Sequence, residues 1–263
     1  LNNKVLSAKS KPSYFIKKFK YFFTERLKEG HDPTKPDDLK RAFKGFFSYY
    51  LNKKLYSWFV KEIKKEDLVG KDFVVFTLHK QPEASVDNTG RYYEDQLVVI
   101  KNIWRILPEN TMLIVKEHSN AIGDRPLKFY KTISKIPNVA FVQYQEDSYS
   151  LIEMAEAVFT ISGTIAYEAA SMGKHSFTFA PLFFNKLSLC NHITLEDLRD
   201  PKKTLGNLIE TYKYDKAIDQ EYTNWIHGNS FEGIMSDYNS NPACMEDENI
   251  DKLVKAINVI VNI

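Results

Sequence analysis

From about residue 70 the chain alternates short apolar runs with amphipathic stretches. Phe73 to Leu78, Met112 to Val115, Val139 to Val142, Ala157 to Ile161 and Ser176 to Phe179 carry no charge and read as buried strands. Tyr92 to Leu107, Arg125 to Ser134, Tyr149 to Ala155 and Ile165 to Met172 lie between or after them with helical spacing. Strands and helices in alternation predict an α/β fold, a Rossmann-like parallel sheet with helices on both faces. Right-handed crossovers then collect the loops that follow the strands on one edge, where open sheets of this kind bind ligands.

Residues 1–68 follow a different rhythm and form a basic amphipathic helical segment ahead of a Rossmann-like domain spanning 69–263. Phe15, Ile16, Phe19, Phe22 and Phe23 recur at three and four residues, and so do Leu39, Phe43, Phe46, Phe47, Tyr50, Leu51, Leu55, Trp58, Phe59 and Ile63. Two helices, each with an aromatic stripe, are predicted. His31-Asp32-Pro33 and Lys35-Pro36-Asp37-Asp38 break the pattern between them. The stripes are expected to pack onto the rest of the protein or onto a further domain. The alternative is a peripheral membrane contact through residues 1–65, because lysines flanking aromatics suit an anionic lipid surface. At the other end, Ile250, Leu253, Val254, Ile257 and Ile260 predict a final helix packed back on the sheet.

Charge sharpens the division. Residues 1–65 hold 17 Lys and Arg against 6 Asp and Glu, whereas the remainder holds 19 against 28. No nucleic-acid-binding motif accompanies the positive charge, so nucleic acid is not expected as a partner. With no apolar run long enough to span a bilayer and no signal peptide, the reading is a cytoplasmic protein, with the inner face of the cytoplasmic membrane as the place a peripheral contact would put it. Cys190 and Cys244 stand in no CxxC pattern and read as reduced thiols. The six histidines are scattered and no DxD adjoins a strand, so no metal is expected.

Chemistry concentrates in the loops after the predicted strands. Ser162-Gly163-Thr164 lies where a strand ends and a small-residue helix begins. There Gly163 permits close backbone approach, unpaired N–H groups point outward and two hydroxyls can join them around a phosphate. Glu168, one turn on, is spaced to accept ribose hydroxyls; the plain alternative is an N-cap with a surface glutamate. Gly173 reads as the helix stop. Lys116 and His118 follow another strand, and together they could neutralise a phosphate and stabilise charge as a sugar–phosphate bond breaks. His79, Gln81, Glu83 and Ser85 form a dense polar loop at the same edge. Arg91, Asp95 and Gln96 open the next helix and either line the site or are solvated, the latter favoured for Asp95. Gln143, Gln145, Asp147 and Ser148 are candidates for reading a nucleobase.

In order, LHKQPEAS, LIVKEHS, PNVAFV and TISGTIAYEAASMGK resemble the bacterial capsule polysaccharide biosynthesis family, which includes Kdo transferases, over roughly residues 70–185. The resemblance implies the C-terminal, donor-binding half of a GT-B glycosyltransferase. It implies a nucleotide sugar as partner, a CMP-activated acidic sugar such as Kdo as the favoured donor, a glycan or glycolipid acceptor, and an inverting reaction with no cofactor beyond the donor. On the family pattern Lys116 and His118 match the motif near the donor phosphate, Ser162, Gly163 and Thr164 the phosphate turn, Glu168 the ribose-side acid, and Gln81, Glu83 and Ser85 the first loop. Ser119 stands where the family usually has proline. The chain starts at Leu1, and an N-terminal domain with the acceptor site and catalytic base is expected beyond it. Alternatives are a UDP- or GDP-sugar donor, a nucleotide-sugar epimerase of the same fold, and a non-catalytic assembly module that docks through residues 1–65.

Overall fold

The computed structural model describes residues 39–119, 121–200, 202–236 and 241–261. The helix expected around Phe15 to Phe23 lies outside them. The first helix described, α1 (Leu39–Phe59), leads into β1 (Glu62–Ile63), and β2 (Phe73–Thr77) follows a 3-10 turn at Lys65–Leu68. Then come α2 (Gln96–Ile106), β3 (Met112–Lys116), α3 (Leu127–Ile133), β4 (Val139–Val142), α4 (Ser148–Met154), β5 (Ala157–Thr160), α5 (Ile165–Ser171), β6 (His175–Thr178) and β7 (Cys190–His192). Helices α6 (Leu195–Arg199), α7 (Leu205–Thr211), α8 (Lys216–Asn229) and α9 (Asp247–Val261) complete the chain.

The seven strands pair in the order β1-β4-β3-β2-β5-β6-β7, every pair parallel. The pleat of the central strands explains their uniform hydrophobicity. Val74 and Phe76 of β2, Leu113 and Val115 of β3, and Ala157 and Phe159 of β5 point to one face. There they meet Val99, Ile100 and Ile103 of α2, Tyr130 and Ile133 of α3, Leu205 and Leu208 of α7, and Tyr56 of α1. Phe73, Val75, Ile114 and Val158 point to the other face, onto Leu151 and Ile152 of α4 and Ala169 of α5. Both faces are therefore covered, as an all-parallel sheet requires, and the expected Rossmann-like α/β fold is formed. From β2 the chain steps one way to β3 and β4, then crosses to β5 on β2's other side. β2 and β5 are hydrogen-bonded neighbours whose following connections diverge, so their C-terminal ends mark the switch point outside which such sheets open a crevice.

Among the described residues two compact units divide at 218/219. Two expectations about helix faces change. Helix α1 belongs with the sheet through Tyr56 and Val60, and β1 with it through its pairing to β4. Of the stripe expected to bury on α1, Phe47, Tyr50, Leu51, Trp58 and Phe59 are exposed, Leu55 is half-buried and Ile63 packs against the sheet, while the side chains of Leu39, Phe43 and Phe46 lie outside those described. The helix instead buries Tyr56, with Val60 buried just past its end; the Tyr56 ring meets Tyr130 edge-on at 5.0 Å and its hydroxyl donates to Glu62 Oε1 at 2.7 Å. In the second unit, Ile250, Val254, Ile257 and Ile260 of α9 are likewise exposed, while Asn249 and Ala256 are buried. Asn249 is held there by bonds to the N–H and C=O of Ile234 and to the carbonyl of Cys244.

Candidate functional site

The loop after β2 and the turn after β5 meet at the switch point. His79 Nε2 lies 2.8 Å from Thr160 Oγ1, and the Ser162 N–H is directed at the same nitrogen at 3.4 Å. A nitrogen that accepts an N–H carries no proton, so Thr160 donates to His79 and the ring proton resides on Nδ1. Thr160 Oγ1 accepts in turn from the Gly163 N–H at 3.2 Å and from Thr77 Oγ1 at 3.3 Å. A side chain at Gly163 would place its Cβ 2.7 Å from Thr160 Oγ1, so the turn needs glycine for close approach. The N–H groups of Ser162 and Gly163 are thus engaged within the turn. The donor left over is the Ser162 hydroxyl, which is buried without a hydrogen-bond partner among the described residues; the Ser85 hydroxyl is in the same state.

His79 is held neutral. Burial, with smaller contributions from His118 and Arg125, lowers its pKa to about 4. Its backbone is clamped by Gln96, which is buried on the first turn of α2 and accepts from the His79 N–H at 2.8 Å while donating to its C=O at 3.0 Å. Gln96 also donates to Gln81 Oε1 at 2.7 Å, and Gln81 bonds the Glu94 carbonyl, so Gln81 serves the loop's internal order. Asp95 caps α2 by accepting from Leu97 and Val98, and Arg91 lies exposed beside Tyr92.

His118 is half-buried on the loop after β3, and burial lowers its pKa; the Glu83 carboxylate acts in the opposite sense and Lys80 reinforces the lowering. His79, His118, Glu83 and Lys80 therefore share one electrostatic neighbourhood. Lys116 also acts on His118, lowering its pKa further, but its ammonium is tied elsewhere. Its ammonium donates to the Tyr144 carbonyl at 3.1 Å, beyond β4, which flanks β3 on the side away from β5. The last residue of β3 thus directs its side chain toward β4. Burial lowers the Lys116 pKa, with Asp147 the largest opposing influence.

Thr164 is exposed and its hydroxyl donates to Glu168 Oε1 at 3.4 Å, one helical turn on. Gly173, at φ 75°, ends α5 in the left-handed conformation read from sequence. After β4, Asp147 caps α4 by accepting from Ser150, and Gln145 is exposed. Those residues lie two strands away from the crevice.

Beneath the site runs a buried network that sequence reasoning missed. Glu117, between Lys116 and His118, accepts from Arg125 Nε at 2.9 Å, Tyr130 OH at 2.7 Å and the His118 N–H at 2.7 Å. Burial raises the Glu117 pKa and Arg125 opposes it most strongly. Arg125 also donates through Nη2 to the His79 carbonyl, tying the β2 and β3 loops together. The available signal was an acid enclosed by strand-end residues with a base eight positions on; Arg125 read only as a helix start. Among the described residues no group of three or more His, Cys, Asp and Glu could hold a metal ion.

A parallel sheet whose switch-point crevice is lined by a neutral histidine and an unpaired serine defines a Rossmann-like α/β protein with a candidate ligand site. No family model and no curated protein matches the chain. Among solved structures it is similar to KpsC of Thermosulfurimonas dismutans, a beta Kdo 2,7 transferase, at 16% identity over 65% of this chain and 48% of that one, TM-score 0.38. It is also similar to the UDP-GlcNAc 2-epimerase of Methanocaldococcus jannaschii, solved with UDP-GlcNAc and UDP, at 13% identity over 71% and 52%, TM-score 0.37. WaaG, a glycosyltransferase involved in lipopolysaccharide biosynthesis, is similar at 14% identity over 68% and 47%, TM-score 0.35. The chain spans about half the length of each.

Proposed function

We propose that this chain is the nucleotide-sugar-binding part of an inverting, metal-independent glycosyltransferase of surface-polysaccharide synthesis, with a CMP-activated acidic sugar such as Kdo as donor. The observation that carries the reading is the buried Ser162 hydroxyl at the β2/β5 crevice, left without a partner beside a neutral histidine. An unpaired buried hydroxyl costs about 1–3 kcal/mol, and a ligand oxygen at the switch point would recover it. The order of the LHKQPEAS, LIVKEHS and TISGTIAYEAASMGK motifs supplies the choice of ligand class.

In the reaction an acceptor hydroxyl attacks the anomeric carbon and gives up its proton to a general base as the bond from that carbon to the phosphate oxygen breaks. The bonding pair leaves on the phosphate. Ser162 and Thr164 donate to it, and His118 stabilises the charge that develops there. Lys116, tied to Tyr144, takes no direct part. Glu168 is the carboxylate for the ribose, which requires it to exchange Thr164 for the sugar hydroxyls.

Calorimetric titration with CMP, UDP and GDP tests the donor. Selective CMP binding is expected; selective UDP or GDP binding reassigns the donor, and binding of none of the three overturns the reading.

A further inference from the structure

Helix α1 carries Lys40, Arg41, Lys44, Lys53 and Lys54 and no Asp or Glu. Its inner face, among the described side chains, packs on the protein. Tyr56 and Val60 enter the core, Asn52 Nδ2 donates to the Gly123 carbonyl at 3.4 Å, and the Tyr49 backbone approaches Gly123 so closely that a Cβ there would lie 2.9 Å from the Tyr49 carbonyl oxygen. The outer face has a different composition. Phe47, Leu51, Lys54 and Trp58 follow one another at four, three and four residues and so form one stripe, with Tyr50 beside it. Trp58 is 85% exposed and Phe47 66%, and Lys54 and, just past the helix, Lys61 are exposed too.

A face that mixes Trp, Tyr, Phe and Leu with cations alone matches one environment closely. In the headgroup region of a bilayer the rings reach the acyl boundary, indole N–H and phenol O–H groups remain among polar atoms, and lysines extend to lipid phosphates. A protein partner with an apolar face would leave the lysines without anions. We propose that the outer face of α1 docks on an anionic phospholipid surface, the helix lying in the plane of the interface with Phe47, Leu51 and Trp58 inserted and Lys54 and Lys61 paired with lipid phosphates. No helix among the described residues is long and apolar enough to cross a membrane, so the contact is peripheral. The inference stands on α1 alone and is independent of what the crevice binds.

Co-sedimentation of the full chain with vesicles of mixed phosphatidylcholine and phosphatidylglycerol, against phosphatidylcholine alone, tests it. The chain is expected to bind the mixed vesicles, to bind the neutral ones far more weakly and to be released by salt. Trp58→Ser with Phe47→Ser is expected to lower the partition coefficient at least about tenfold, since two large apolar side chains no longer insert. Both residues are exposed, so the unfolding midpoint should not move. Lys54→Glu with Lys61→Glu, also exposed, is expected to remove the preference for the anionic lipid. Absence of binding to mixed vesicles overturns the proposal, as does binding that the Trp58/Phe47 variant leaves unchanged, which would assign it to residues 1–38. A solution dimer that this variant dissolves, without vesicle binding, also overturns it and assigns the face to a second copy of the chain.

Discussion

Arg125→Leu is expected to destabilise the sheet-bearing unit by about 3–5 kcal/mol, the cost of leaving a buried charge without its partner. The Glu117 side chain is fully buried and that of Arg125 nearly so, and their contact is 2.9 Å. Removing the guanidinium strands the carboxylate and frees the carbonyl of His79. Arg125→Leu with Glu117→Leu should recover part of the loss, because no lone charge remains, although Tyr130 and the His118 N–H then lose their acceptor. Urea unfolding of the two variants against the parent checks this. A loss below about 1 kcal/mol for the single variant would mean that the pair behaves as a surface ion pair.

Acid is expected to weaken the fold through His79. The folded ring takes up a proton only near pH 4, whereas the unfolded ring does so near its ordinary 6.5. Between these values the unfolded chain holds the extra proton, so the stabilisation that is complete above pH 6.5 declines as pH falls and levels off below pH 4. The slope is about 1.4 kcal/mol per pH unit and the total about 3 kcal/mol. His118 and His175 are shifted in the same direction, so the comparison must be with His79→Gln, which removes only this ring. Between pH 7.5 and pH 5.0 the parent should lose about 2 kcal/mol more than the variant. Equal losses would show that His79 is not held neutral by its burial.

The central strands were legible because a parallel strand covered on both faces can hold no charge, which leaves an unbroken apolar run such as Val74-Val75-Phe76. The edges were not. Glu62–Ile63 and Cys190–His192 are two or three residues long and only partly buried, so Ile63 reads equally well as the end of a helical stripe. Periodicity also placed in the core several α1 residues that are exposed. Among its described aromatics, Tyr56 bonds Glu62 and Tyr49 lies against Gly123, whereas Phe47, Tyr50, Trp58 and Phe59 are exposed. A stripe marks a face without saying whether protein covers it.

The same limit governs the site. Strand ends locate the edge at which His79, His118 and Ser162 converge, since that follows from topology alone. Which way Lys116 turns depends on the pleat at the last residue of β3 and on the Tyr144 carbonyl beyond it, neither of which a linear motif carries. Glu117 and Arg125 were overlooked because charged residues in loops read as solvated unless their partner is known, and the partner lies eight residues away.

The central claim is that the crevice outside the C-terminal ends of β2 and β5 holds the phosphate of a nucleotide through Ser162. Calorimetric titration of the chain and of Ser162→Asp with the nucleotide that binds tests it most directly, with cytidine or the matching nucleoside as a control. The account predicts binding by the parent, none by Ser162→Asp because a carboxylate then occupies the anion's position, and little binding of the nucleoside. Unchanged nucleotide affinity in a folded Ser162→Asp variant would contradict it and move the site away from this crevice.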